Sequence, residues 1–241
     1  MRLTKNRVLL ELPEQIFQFL RPYIVKIELP VGHLLVDVDE ELNCAYFPER
    51  GIVALTGPAM TDESVAVAMI GRDSMICPEP AGISRLSLSR AVVSVSGTAS
   101  AVDLRRMRLA AEQFPMMRDT QLRHERILFV QAQQSAVCNA THAVEARMAR
   151  WLMFACDISG DDAMSMSQDR LARLLGVQRN SVSLVANSLM RMGVIRYSRG
   201  IIEVVDRGAL KHFSCECYGM LKTQYDRLIR PASTPPADET A

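Results

Sequence analysis

Residues 168–186 (QDRLARLLGVQRNSVSLVA) carry apolar and small side chains at the spacing that two short helices crossing at a steep angle require. Leu171, Leu175, Val177, Val182 and Val185 stand where such helices bury side chains against each other. Ala172 sits where they approach too closely for a larger residue, and Gly176 stands at the turn, where a positive φ costs little. The polar set Gln178, Arg179, Asn180, Ser181 and Ser183 falls on the first turns of the second helix, and packing alone would not ask for it. In a helix-turn-helix this is the part laid into the DNA major groove. An ordinary helical hairpin in a core is the competing reading, and the residues that follow weigh against it. From Ser188 the helix continues to a stop at Gly193, and residues 196–205 then read as two short strands around Gly200, the wing of a winged helix.

Charge supports this locally. The whole chain is near neutral, with 28 Lys and Arg against 27 Asp and Glu. Between Ser165 and His212, however, eight basic residues (Arg170, Arg173, Arg179, Arg191, Arg196, Arg199, Arg207, Lys211) face three acidic ones (Asp169, Glu203, Asp206), about +5 on a small unit. Residues 1–104 lean acidic, so only one end of the chain suits phosphates.

A length of 241 residues and 49% hydrophobic composition allow one or two globular domains with their own cores. No apolar run is long enough to span a bilayer, and Glu11 interrupts the N-terminal apolar stretch, so the expected location is cytoplasmic. Six dispersed cysteines (Cys44, Cys77, Cys138, Cys156, Cys215, Cys217) fit a reducing compartment. Cys215 and Cys217 lie close enough to form a redox pair or half a metal site. One intervening residue is no usual zinc spacing, and no second pair follows, so both read as apolar packing, and no metal or cofactor is expected.

The pattern along the chain is α+β. Residues 8–21 read as one helix with Pro13 near its start. Short strands are then predicted at 24–29, 34–38, 45–47, 52–55, 65–70 and 92–95, punctuated by Gly and Pro, which suggests a small antiparallel β-roll of jelly-roll type. After Asp103 the chain turns helical. Pro115 separates a helix over 104–114 from a longer one, whose Met116, Met117, Leu122, Ile127, Leu128, Val130, Ala132, Ala136 and Val137 supply apolar surface for a partner copy or for packing within the chain. Arg118, Gln121 and His124 interrupt its heptad, and His124 and His142 read as partly exposed helix positions. Residues 145–156 form an amphipathic helix that buries Trp151. The expected organisation is a sensor roll over 1–103, connecting helices over 104–140, a winged helix-turn-helix over 141–212, a C-terminal helix over 213–230 and a disordered Pro/Ser/Thr-rich tail over 231–241.

A roll, a long central helix and a winged helix in this order resemble the Crp/Fnr family of bacterial transcription regulators. The likeness covers nearly the whole chain and is most specific in residues 168–186. In the roll it rests on Gly32 and Gly51 at turns, the run from Ile70 to Asp73, and Arg90-Ala91 after a loop. The family implies a homodimer joined along the central helix, binding a near-palindromic double-stranded DNA site with one recognition helix per half-site, with RNA polymerase and a small-molecule effector as further partners. Arg179 matches the position that commonly contacts guanine, where a bidentate fork discriminates by about 1–3 kcal/mol. The next position, often glutamate, is Asn180, and a later arginine is replaced by Leu184, so the half-site is expected to differ. Gln178 and Ser183 are further candidates for base or phosphate contact, and Ser167, Gln168, Arg191 and Arg199 for positioning on the backbone.

Family members that bind a cyclic nucleotide hold the ribose with a glutamate and the phosphate with an arginine. The corresponding segments here read Gly71-Arg72-Asp73 and Arg90-Ala91, which leaves Arg90 and Asp73 as effector candidates and argues against cyclic AMP. No cysteine cluster precedes Cys44, so an iron–sulfur cluster is not expected, and Cys77-Pro78 alone is thin support for haem. Two readings stand beside the regulator: a ligand-binding or protein-interaction module whose winged helix contacts protein, and an enzyme. Four scattered histidines, no Gly-rich phosphate loop and no nucleophile motif argue against the enzyme.

Overall fold

The computed structural model describes residues 2, 4–57, 65–77 and 86–229. The expected tail over 231–241 and Pro78 lie outside these residues. Helices α1 (Arg7–Glu11) and α2 (Glu14–Leu20) replace the single helix expected over 8–21. Pro13, with ψ 145°, stands between them, because it offers no N–H to continue the ladder and disfavours helical geometry at Leu12. Asn6 caps α1 by accepting the Leu9 N–H at 3.3 Å, and its Nδ2 donates to the Pro48 and Ser74 carbonyls at 2.8 and 2.9 Å, which ties the N-terminus to the roll.

The roll comprises β1 (Val25–Leu29), β2 (Leu34–Val36), β3 (Cys44–Thr56), β4 (Ala66–Ile70) and β5 (Arg90–Asp103). All pairings are antiparallel, in the order β1-β5-β3-β4, with β2 also on β5. Two expected strands, 45–47 and 52–55, are one bent strand, and the one expected over 92–95 runs on through Gly97 to Asp103. The glycines mark bulges, not ends. A β-carbon on Gly51 (φ 81°) would lie 2.5 Å from the Val95 carbonyl oxygen, and one on Gly97 would press into the Arg50 carbonyl. The ladder shifts register three times between Pro48 and Val53, where the two backbones close in.

The helical half holds α3 (Leu104–Gln113), α4 (Pro115–Thr141), α5 (Val144–Ser159), α6 (Gln168–Leu175), α7 (Arg179–Arg191), α8 (Arg207–Phe213) and α9 (Cys217–Ile229). A three-stranded sheet orders β6 (Ala163–Ser165), β8 (Ile201–Val204) and β7 (Ile195–Ser198) as β6-β8-β7. The wing pair was legible in the sequence, whereas β6 was not. Pro115 opens α4 at its first position, where its missing N–H costs nothing.

Helix α4 has two faces that each recur every seven residues. Met117, His124, Gln131 and Cys138 are buried, whereas Leu122, Phe129 and Ala136 are exposed. The polar members of the buried face are bonded to the roll. Gln131 accepts the Met69 N–H at 2.9 Å and donates to the Met69 carbonyl at 3.0 Å, completing the open edge of β4 as a neighbouring strand would. His124 Nδ1 lies 3.1 Å from Ser74 Oγ. The expectation that His124 is partly exposed is therefore corrected: it is 6% exposed, and burial pushes its pKa down to about 4. Gln121 donates to Cys77 Sγ at 3.1 Å, and burial raises that thiol to about 12. Of the residues that break the heptad in sequence, Gln121 and His124 belong to a polar seam against the roll, whereas Arg118 is exposed.

The roll and the winged unit share one core, in which Ile52, Ala54, Met69 and Val95 pack with Trp151, Phe154, Leu171, Val182 and Leu189. Each such large side chain contributes about 1.5–3 kcal/mol of burial. The Arg72 N–H donates to the Ile158 carbonyl at 3.0 Å, and the turn glycine Gly176 abuts the Val65 side chain. Cys215 and Cys217 are buried as expected, but in a small cluster with Cys138 and Ala146 rather than in a purely apolar core.

Candidate nucleic-acid interface

The helix-turn-helix is built as its side-chain spacing requires. Ser167 caps α6 by accepting the Arg170 N–H at 3.2 Å. Gly176 ends α6 in the left-handed region, with φ 62° and ψ 45°, a conformation that favours glycine. Leu171, Ala172, Leu175, Val182 and Ala186 are buried between the two helices and α5, and Val177 and Val185 are half-buried.

The polar residues of α7 face outward. Gln178, at its N-cap, and Arg179 and Asn180, in its first turn, are exposed, as is Leu184 at 71%. Ser183 Oγ donates to Gln168 Oε1 at 2.5 Å, linking the start of α6 to the second turn of α7. The Gln168 N–H donates to the Tyr197 hydroxyl at 3.2 Å, so β7 helps hold the N-terminal end of α6. Neither Tyr197 nor Asp37, the partner of Arg90, was singled out in the sequence, because each acts through a partner that only the fold supplies.

The basic residues divide into two groups. Arg173 pairs with Asp169 at 3.2 Å, Arg196 with Glu203 at 2.6 Å, and Arg207 with Asp157 and Asp162 at 3.3 and 2.5 Å. Arg179, Arg191 and Arg199 are exposed and make no ion pair among the described residues. Arg199 takes a positive φ of 49° beside Gly200 at 79°, forming the tip of the wing. Lys211 of α8 is likewise exposed without an ion pair among the described residues, and half-buried Arg170 of α6 reaches the Ser94 carbonyl, so the cations of α7 and the wing are left for an outside anion together with Lys211.

The two effector candidates are engaged with different partners. Arg90 forks onto Asp37, with Nε and Nη2 at 2.9 and 2.8 Å from its two carboxylate oxygens, and this hydrogen bonding holds the Asp37 carboxyl below its usual range. Asp73 is 7% exposed and accepts the Tyr225 hydroxyl of α9 at 2.8 Å. Burial raises the Asp73 carboxyl to about 6, and burial, with Asp73 beside it, pushes the Tyr225 hydroxyl well above its ordinary value.

Residues 146–213 match the family model of the Crp-like helix-turn-helix domain. No curated protein sequence matches the chain. Among solved structures, FixK2 from Bradyrhizobium japonicum superposes with a TM-score of 0.67 at 13% identity, over 80% of this chain and 98% of its own. A Crp/Fnr-family transcriptional regulator from Thermus thermophilus gives 0.61 at 19% identity, over 79% and 98%. The c-di-GMP-responsive global regulator CLP from Xanthomonas campestris gives 0.61 at 13% identity, over 80% and 100%. The chain therefore carries a Crp-like helix-turn-helix domain within the fold of the Crp/Fnr regulators.

Proposed function

We propose that the protein is a sequence-specific DNA-binding transcription regulator, working in the cytoplasm as a homodimer on a near-palindromic operator. The observation that carries this reading is α7. Its inner side is buried, and its first turns expose Gln178, Arg179 and Asn180 beside a wing whose tip residue, Arg199, has no carboxylate partner among the described residues. Arg179 is assigned to a guanine edge, Asn180 to an adenine edge and Gln178 to a further base or phosphate. Exposed Leu184 suits a thymine methyl. Ser167, Gln168, Ser183, Arg191 and Arg199 are assigned to holding the duplex backbone. The exposed Leu122, Phe129 and Ala136 of α4, with Val137 at 52% exposure, supply the seam for a second copy. RNA polymerase is the expected protein partner.

The pairing of Arg90 with Asp37 and of Asp73 with Tyr225 supports an effector other than cyclic AMP, since neither side chain is poised for a nucleotide. Selection of bound sequences from a random duplex library at near-physiological salt tests the reading. Enrichment of a two-fold symmetric motif is expected. A protein that enriches no motif, and whose weak DNA binding does not change with salt, would favour a winged helix that contacts protein.

A further inference from the structure

Two segments that the sequence keeps far apart meet at the end of α4. Cys138 lies on its last turn, and His142, four residues on, follows it on the same side. Cys215 and Cys217 flank the start of α9. Cys138 Sγ lies 3.5 Å from Cys215 Sγ, and Cys217 Sγ lies 3.6 Å from His142 Nδ1. One donor atom from each residue falls within 4.8 Å of every other. All six cysteines are free, and 3.5 Å is far beyond a disulfide bond length. A tetrahedron with zinc–sulfur bonds near 2.3 Å and a zinc–nitrogen bond near 2.0 Å sets neighbouring sulfurs about 3.8 Å apart and sulfur and nitrogen about 3.5 Å apart. The Cys138–Cys215 and Cys217–His142 separations already match that size, and the remaining ones lie within 4.8 Å.

The surroundings suit a bound cation. His142 Nε2 lies 3.1 Å from Glu216 Oε1, the carboxylate–imidazole arrangement that leaves Nδ1 free to ligate. Thr141 Oγ1 also lies 3.1 Å from that Nδ1, but its proton goes to the Val137 carbonyl at 2.8 Å. Three thiolates and a neutral imidazole on a divalent ion leave a net charge of −1. Two buried arginines of α5, Arg147 and Arg150, lie within electrostatic reach of Cys138 and face that charge. The Nε atoms of both arginines are buried without a hydrogen-bond partner among the described residues. Buried guanidinium groups with no carboxylate opposite need an anion, and the loaded cluster is one.

We propose that Cys138, His142, Cys215 and Cys217 form a closed zinc site that fastens the end of α4 to the junction of α8 and α9. Four protein ligands with no open position describe a structural site rather than a catalytic one. Arg147 also donates to the Leu175 carbonyl at the end of α6, so the charge of the site bears on the helix that precedes the turn. Sequence spacing hid the arrangement: Cys-x3-His and Cys-x-Cys are each half a site, 72 residues lying between His142 and Cys215.

The test is metal analysis of the untagged full-length protein, purified without chelator, together with cobalt(II) titration of the chelator-stripped protein. About one zinc per chain is expected, and cobalt should give the thiolate charge-transfer and visible bands of a tetrahedral centre. Thiols must give up their protons to ligate, so loading should release protons into a weak buffer. Cys217→Ser and His142→Gln should each weaken metal binding at least tenfold, whereas Cys77→Ser should leave it unchanged. If Cys217→Ser does not fold, the wild-type cobalt spectrum and His142→Gln still decide the matter. A protein that takes up no stoichiometric metal, that gives an octahedral cobalt spectrum, or that yields a Cys138–Cys215 disulfide would overturn the proposal.

Discussion

Arg179 stands at the exposed start of α7, whereas Arg199 stands at the tip of the wing, and the difference in position predicts a difference in kind. Arg179→Ala should cost about 1–3 kcal/mol on the selected site and relax specificity at one base pair. Arg199→Ala should weaken all sequences alike and reduce the salt slope by about one. Binding isotherms on cognate and scrambled duplexes would show it, and equal losses on both duplexes for both variants would remove α7 as the reading helix. Two buried groups make a second residue-scale case. Asp73, with its carboxyl raised from 3.8 to about 6, binds more protons folded than unfolded between those values, so its contribution to stability is lost as pH rises through 6. The Tyr225 hydrogen bond, and less so Arg7 and Arg72, soften this shift. His124, lowered from 6.5 to about 4 by burial and Arg123, does the opposite, and its contribution is lost as pH falls through 4. Each is worth about 3 kcal/mol, so in the wild type the two slopes offset. Asp73→Asn should give stability that rises from pH 4 to 6.5, and His124→Gln stability that falls over the same range. Urea unfolding at several pH values measures this, and three parallel profiles would contradict it.

At the scale of elements, α4 carries the clearest prediction. Phe129 is 63% exposed and Leu122 43%, seven residues apart on the side away from the roll. Phe129→Glu should leave thermal stability of the fold nearly unchanged, yet yield monomers by analytical ultracentrifugation; a persistent dimer would place the seam elsewhere. The same helix shows what the sequence discloses and what it withholds. The helix-turn-helix was legible because its constraint is local: Leu171, Ala172, Gly176 and Val182 lie within twelve residues and answer to one another. The wing was legible for the same reason. Gly51 and Gly97 were read as strand ends, because the approach that demands them lies between two strands, 46 residues apart. Gln121 and His124 looked like interruptions, because the Cys77 and Ser74 groups that they serve belong to another part of the chain, whereas Arg118 is exposed. Polar residues on a helix declare their purpose only when the surface opposite them is known.

At the scale of the molecule, the roll leans on the winged unit through a shared core, the Arg72–Ile158 hydrogen bond and the contact of Val65 with Gly176. A ligand that acts through the roll has a short path to the turn between α6 and α7. Cyclic AMP is not expected to be that ligand, and calorimetric titration at micromolar concentration should give no saturable heat. A binding isotherm would return Arg90 and Asp73 to the effector site and require both to leave their present partners.

The two faces of α4 also make it a ruler. Over 27 residues, about 40 Å, one rigid rod fixes three things at once: the edge of the roll, the exposed face proposed as the seam for a second copy, and the Cys138 thiol near its far end. A single residue inserted near its middle would turn everything beyond it by about 100° and carry Cys138 away from Cys215 while Gln131 or Phe129 lost its place. Length changes that the loops of this chain could absorb are therefore closed to its central helix, whose residue count is as much a part of the design as the identity of any side chain on it.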